Sequence, residues 1–150
     1  MGFRYTIPIP STTLSTTNSS LTIIAGATRA LKVNEIYLSG TGTASASNDV
    51  GVYRVGTAGV TGSAAVTPAP LNPAAPSQSF TNFTAYVTQP VVGTKILDIP
   101  VNSNGGVGYY RPQPGQEIEI PAGNVAASTI TIRSVSGTGT VAGWVVVEEI

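Results

Sequence analysis

The feature that most limits the fold is a two-residue periodicity in short apolar segments separated by glycine and proline. Segment 3–10 shows it most clearly, because an aromatic or aliphatic residue stands at every odd position. Such alternation places one set of side chains on each face of a β-strand. Further segments are rich in β-branched residues, and none has the 3.6-residue period of an amphipathic helix. The candidate strands are residues 3–10, 21–24, 31–38, 50–55, 80–87, 95–101, 107–111, 117–120, 129–135 and 141–150.

The turn residues between these segments favour an antiparallel sandwich or barrel over a parallel α/β sheet. Asn104 and Gly105 suit the positive φ angles of a type I′ turn, so segments 95–101 and 107–111 are predicted to form a hairpin. Pro114 and Gly115 suit the central positions of a type II turn. Segment 66–79 holds four prolines, which lack the N–H that a ladder requires, so it is predicted to be a long irregular connection.

Composition excludes several kinds of functional site. The chain has no His and no Cys, which excludes the usual zinc sites, disulfides and the Ser-His and Cys-His nucleophile pairs. Seven basic and seven acidic residues give zero net charge, which argues against binding nucleic acid by neutralising phosphates. No stretch approaches the ~20 apolar residues of a membrane span. We therefore expect no catalytic residue, cofactor, metal, small-molecule substrate, nucleic acid or membrane partner.

Two short patterns could still carry chemistry. Glu117 and Glu119 lie ~7 Å apart if they share one face of a strand, a separation that glycosidases use. Their alternation with Ile118 and Ile120 instead favours a plain solvated sheet face. Segment 109–111, Tyr-Tyr-Arg, could stack on bases or sugars, but an aromatic pair more often serves packing or an interface. The expectation is that the chain is not an enzyme.

Three longer stretches resemble small structural proteins of tailed bacteriophages. They are residues 31–62, 99–123 and 131–150, which include LKVNEIYLSGTGT, IPVNSNGGVGYYRPQPG and TIRSVSGTGTVAGWVVVEEI. In particular, they are similar to jelly-roll cement or decoration proteins on the outside of the capsid. The resemblance implies an antiparallel jelly-roll-like β-sandwich of about 8–10 strands. It also implies a virion location on the capsid exterior after synthesis in the host cytoplasm, with the major capsid protein as partner.

The alternative function is a phage tail, fibre or baseplate component, or a host-adhesion module. Jelly rolls serve in these roles too, and Tyr109, Tyr110 or Trp144 could contact a glycan. Trp144 itself is predicted to lie in the core, because segment 143–147 is apolar on both faces and therefore suits a covered strand.

We predict an extended N-terminal arm with a Ser/Thr spacer, residues 1–19, followed by a single β-sandwich domain, residues 20–150. Pro8 and Pro10 remove donors from one edge of the arm, so the other edge could pair once with a neighbouring sheet. The competing interpretation is that the arm is the first edge strand of its own domain. The predicted capsid contacts are Phe3, Arg4, Tyr5, Ile7 and Ile9.

Self-association as a homotrimer is also predicted. Only 9% of the residues are charged. Association of copies would bury apolar surface that is otherwise in contact with water. The phage cement or decoration proteins that the chain resembles often form trimers over a three-fold or quasi-three-fold axis. Aromatic side chains are enriched at interface centres, and the candidates are Phe80, Phe83, Tyr86, Tyr109 and Tyr110.

Overall fold

The structure is a computed structural model that describes residues 2–57, 60–123 and 125–150, and it is all-β. Its regular elements are strands apart from one short 3-10 turn at Ala126–Ser128 within those ranges. The strands are β1 Phe3–Thr13, β2 Ser19–Ile24, β3 Leu31–Thr41, β4 Ser47–Thr57, β5 Thr61–Ala64, β6 Ala69–Pro70, β7 Thr81–Phe83, β8 Ala85–Thr88, β9 Val91–Asn102, β10 Asn104–Tyr110, β11 Ile118–Ile120, β12 Thr129–Ser136 and β13 Thr140–Glu149.

Two antiparallel sheets form a β-sandwich. The front sheet has the order β10–β3–β13–β1–β6, and β11 also pairs with β3. The back sheet has the order β7–β2–β12–β4–β9, while β5 and β8 form a separate two-stranded ribbon. A single core cluster joins residues of both sheets, such as Ile7 and Val145 in front and Ile23 and Ile132 behind. The predicted all-β class is therefore confirmed.

Each of the ten predicted segments overlaps a strand, whereas β5 and β6 were not predicted. These two strands are four and two residues long and have the sequences TGSA and AP. They contain no alternation of large apolar and polar side chains, so periodicity could not reveal them.

The predicted hairpin between segments 95–101 and 107–111 is wrong. β9 pairs with β4 in the back sheet, whereas β10 pairs with β3 in the front sheet. Gly105 does have a positive φ of 69°, but the chain here crosses from one sheet to the other. Ser103 fixes the crossing, because its amide donates to the Ala46 carbonyl at 2.9 Å and its hydroxyl donates to the Ala44 carbonyl at 2.8 Å.

The turn predicted at Pro114 and Gly115 is confirmed. Gly115 has a φ of 88°, and the amide of Gln116 donates to the carbonyl of Gln113 at 2.9 Å. This hydrogen bond closes the four-residue turn from its first to its last residue.

The prediction of a separate N-terminal arm is wrong, and the competing interpretation holds. β1 pairs with β13 from Phe3 to Thr13, with one irregularity after Ile9. Tyr5, Ile7 and Ile9 turn into the core and are at most 2% exposed, so they are not available to a capsid. The proposed spacer is also part of the domain, because Leu14 is buried in the core cluster.

Pro8 still protects one edge of β1, but this edge belongs to the front sheet of the domain and not to a separate arm. The carbonyl of Arg4 accepts a hydrogen bond from the amide of Leu71 at 2.9 Å, so the backbone groups of Arg4 point away from β13. Alternate residues of a strand share an edge, and Pro8 therefore turns its missing donor towards this outer edge. β6 covers the outer edge only beside Tyr5 and Thr6. The proline limits edge-to-edge association beyond that point.

Candidate functional site

Four side chains form a row across the outer face of the front sheet. The strand registers place Tyr109 of β10 beside Tyr37 of β3, Tyr37 beside Trp144 of β13, and Trp144 beside Pro8 of β1. Adjacent strands are ~4.8 Å apart, so the row spans ~14 Å. We call these four residues the aromatic row.

Two rings of the aromatic row, those of Tyr109 and Trp144, are exposed, and the ring of Trp144 is held in place. Tyr109 is 65% exposed and Trp144 is 38% exposed. The rings of Tyr37 and Trp144 are stacked, with centroids 4.1 Å apart and planes at 13°. A stacked pair of this kind contributes about 0.5–1.5 kcal/mol beyond the area it buries. The stack therefore fixes the orientation of the indole on an open surface.

The prediction that Trp144 lies in the core is wrong. Trp144 and Val146 share one face of β13 as expected, but that face is the outer one. Val145 and Val147 point the other way and are fully buried. On this exposed face Trp144 lies opposite Tyr37 of β3, and the register of the two strands shifts between Val146 and Val147.

Glu35 links the indole to an arginine. Trp144 Nε1 donates to Glu35 Oε1 at 2.8 Å, and Arg111 Nε donates to Glu35 Oε2 at 3.0 Å. Burial raises the pKa of Glu35, but the hydrogen bonds from Trp144 and Arg111 and the charge of Arg111 outweigh it, so the pKa lies below its ordinary value. Glu35 is therefore ionised at neutral pH and positions both partners.

We expect acid to weaken the hydrogen bonds that Trp144 and Arg111 donate to Glu35. Because the folded-state pKa of Glu35 is lowered, its stabilising contribution is present above the ordinary value of 4.5 and is lost as pH falls through the folded-state pKa. Trp144 is the only Trp, so its fluorescence reports the site. We expect the emission to be constant from pH 7 to 5 and to change below 4.5. In Glu35→Gln this acid transition should disappear; an identical transition in that variant would contradict the assignment.

A polar cleft of about 350 Å³ adjoins the aromatic row at Glu35. Arg4 and Asn34 on its wall both donate to Glu148 Oε2, each at 3.3 Å. Arg111 pairs with Glu35, as described above. Both arginines of the cleft therefore lie beside a carboxylate. The polar side chains that line the cleft are Arg4, Asn34, Glu35, Arg111 and Glu117.

The outer face of the back sheet is covered at β2 and β12 by residues of the same chain. The Tyr86 hydroxyl lies 2.7 Å from the Thr22 hydroxyl, and the side chain of Arg133 donates to the Pro90 carbonyl at 2.7 Å. Thr22 and Thr131 point outward from this sheet yet are fully buried. The outer side of β2 and β12 is thus closed, whereas the aromatic row lies on an open outer face of the front sheet.

The predicted interface residues differ in how deeply they are buried. Phe80 is in the core, edge-on to Tyr5 at 5.5 Å, so its assignment to an interface is wrong. Phe83, Tyr86 and Tyr110 are half-buried. Tyr86 donates to the Phe83 carbonyl, and burial raises the pKa of Tyr86 to about 12. Among these candidates Tyr109 is the exposed one. Phe3 and Arg4, predicted as capsid contacts, are exposed as well.

A further feature is a long stretch of sequence without charged residues. Residues 55–94 contain no Asp, Glu, Lys or Arg, a signal that sequence reasoning missed. Val87 at the end of β8 is 74% exposed, and Val91 at the start of β9 is 58% exposed. We call residues 55–94 the uncharged segment.

The two glutamates considered for chemistry lie on a sheet edge. Ile118 and Ile120 are buried and Glu119 is exposed, as the alternation predicted. Glu119 lies 3.7 Å from Lys32, and Glu117 accepts from the Gly115 amide at 2.8 Å. Over residues 2–57, 60–123 and 125–150 there is no group of three or more acidic residues placed to hold a metal ion. The same ranges contain no helix with the length and apolar character of a membrane span.

Comparison of the chain with protein-family models, curated proteins and solved structures found no match.

Proposed function

We propose that this chain is a non-enzymatic structural protein of a tailed-phage virion that binds the outer capsid surface as a cement or decoration protein. The observation that carries the proposal is the strand order. The order β10–β3–β13–β1 faces β2–β12–β4–β9, and the chain passes repeatedly from one sheet to the other. This order supports a jelly roll, in which two Greek keys span two packed sheets. It is the fold implied by the resemblance of residues 31–62, 99–123 and 131–150.

The part of the uncharged segment from residue 81 to residue 94 is the surface on which we place the contact between copies in a homotrimer. Interface cores are depleted of charged residues and enriched in aromatic ones. Val87 and Val91 are exposed, and the half-buried Phe83 and Tyr86 lie beside Val87 in the chain. A contact there leaves the open outer face of the front sheet free.

Charges placed in this contact should dissociate the trimer without unfolding the domain. The double variant Val87→Asp, Val91→Asp is expected to sediment at the chain mass of 15.2 kDa, whereas the unchanged protein sediments at three times that mass. Both should melt at the same temperature, because these side chains are exposed. The variant should also bind poorly to capsids from which the protein has been removed, since a trimer engages several sites at once.

Val125→Asp is the matched control, because Val125 is 53% exposed and lies outside the uncharged segment. It should remain trimeric and bind capsids. A monomeric unchanged protein at high micromolar concentration would contradict the trimer, and equal capsid binding by all three proteins would contradict the assigned surface.

Host adhesion from the phage tail is a second candidate function. The aromatic row favours it, because exposed Trp144 and Tyr109 suit contact with a glycan. Copy number separates the two functions: a capsid lattice carries hundreds of copies per virion, whereas a tail carries a multiple of three or six in the tens.

A further inference from the structure

We propose that the aromatic row and the polar cleft beside it form one binding site for a neutral oligosaccharide. The proposal goes beyond capsid attachment and does not depend on it, because it is argued from the residues of the site alone. The contact between copies was placed on residues 81–94, which neither line the cleft nor belong to the aromatic row. It rests on the exposed rings, on the hydrogen-bonding groups of the cleft, and on the size and charge of the site.

The exposed rings offer flat apolar surfaces, and the ring of Trp144 is fixed before any ligand arrives. One face of a pyranose ring carries C–H bonds and packs against an aromatic ring, as Trp144 and Tyr109 could provide. Trp144 is held by its stack on Tyr37 and by the hydrogen bond to Glu35. A preorganised ring loses little side-chain freedom on binding, which favours affinity.

The cleft supplies partners for sugar hydroxyls, which need both donors and acceptors. Asn34 carries both, Arg4 and Arg111 carry donors, and the carboxylates of Glu35 and Glu117 carry acceptors. Glu35 belongs to both parts of the site, because it lines the cleft and accepts from Trp144 at 2.8 Å. A chain of sugars lying along the row would therefore reach the polar groups at its side.

Charge and size favour this ligand over an anion or a protein. Arg4 is paired with Glu148 and Arg111 with Glu35, so the charges of both guanidinium groups are balanced, which disfavours a polyanion. The aromatic row is ~14 Å long and one side chain wide. A stable protein interface buries ~800 Å² on each partner, far more than such a row provides. A narrow linear ligand fits it better.

Fluorescence of Trp144 gives a direct test, because the chain has no other Trp. The full chain is titrated separately with maltohexaose, cellohexaose, laminarihexaose and chitohexaose. We expect at least one of them to shift the Trp144 emission in a saturable way. Tyr109→Ala should weaken that binding at least about tenfold without changing the melting temperature, because Tyr109 is an exposed anchor.

Phe3→Ala is the matched control, because Phe3 is an aromatic residue 37% exposed on the same sheet but outside the aromatic row. It should leave the affinity unchanged. The proposal is overturned if none of the four sugars binds with a Kd below 10 mM, or if Tyr109→Ala and Phe3→Ala affect binding equally. It is also overturned if Tyr109→Ala abolishes capsid binding while no sugar binds, since the row would then be a protein interface.

Discussion

Deletion of residues 2–10 is expected to unfold the protein. The deletion removes Tyr5, Ile7 and Ile9 from the core and leaves the partner edge of β13 unpaired. Truncating one buried aliphatic or aromatic residue costs about 2–5 kcal/mol. Losing three such residues is comparable with the whole stability of a domain, about 5–15 kcal/mol. Circular dichroism should show no cooperative thermal transition in the truncated protein.

Single substitutions sharpen this test, because neighbouring residues of β1 face opposite sides. Ile7→Asp buries a carboxylate in the core and should also abolish cooperative melting. Thr6→Asp places the same charge on the outer face and should melt within a few degrees of the unchanged protein. A truncated protein that melts cooperatively near the original temperature would show that β1 is dispensable to the sheet.

Glu149→Ala is expected to lower the free energy of unfolding by about 3 kcal/mol. The Glu149 side chain is fully buried, pairs with Arg29 at 3.1 Å, and accepts from the Ser79 amide at 2.8 Å and from the Ser79 hydroxyl. Its removal deletes two hydrogen bonds from Ser79 to a charged acceptor, and a hydrogen bond to a charged group contributes about 1.5–3 kcal/mol. It also removes the attachment of Ser79, the last residue of the proline-rich connection 66–79, to β13.

Glu119→Ala is the control for this prediction, because Glu119 is in the same sheet but is exposed and 3.7 Å from Lys32. An exposed ion pair of this kind contributes about 0–1 kcal/mol. Urea denaturation of both variants measures the difference. Equal losses of stability in the two variants would contradict the structural role of Glu149.

Local patterns predicted the strands well and their partners poorly. The alternation in segment 3–10 correctly placed Tyr5, Ile7 and Ile9 on one face. It could not show whether that face packs in its own domain or on a neighbour, because both arrangements satisfy the same alternation. The turn at Gly105 illustrates the same limit, since its positive φ was predicted correctly while the two strands beside it belong to different sheets.

The candidate site could be predicted only in part. Tyr109 and Trp144 were considered as glycan contacts, but Trp144 was assigned to the core because its neighbours are apolar on both faces of the strand. The residue that decides its place is Tyr37, which is far away in sequence and comes opposite Trp144 through the register of β3 and β13. Glu35 was missed for the same reason, because its contact with Trp144 spans 109 residues.

The most direct test of the central claim is a cryo-electron microscopy reconstruction of the virion from which the protein comes. We predict density for the β-sandwich on the outer surface of the head, repeated at three-fold or quasi-three-fold positions in hundreds of copies. Residues 81–94 should lie at the contact between copies, and Trp144 should face solvent. Density confined to the tail, in a few tens of copies, would contradict the proposed function.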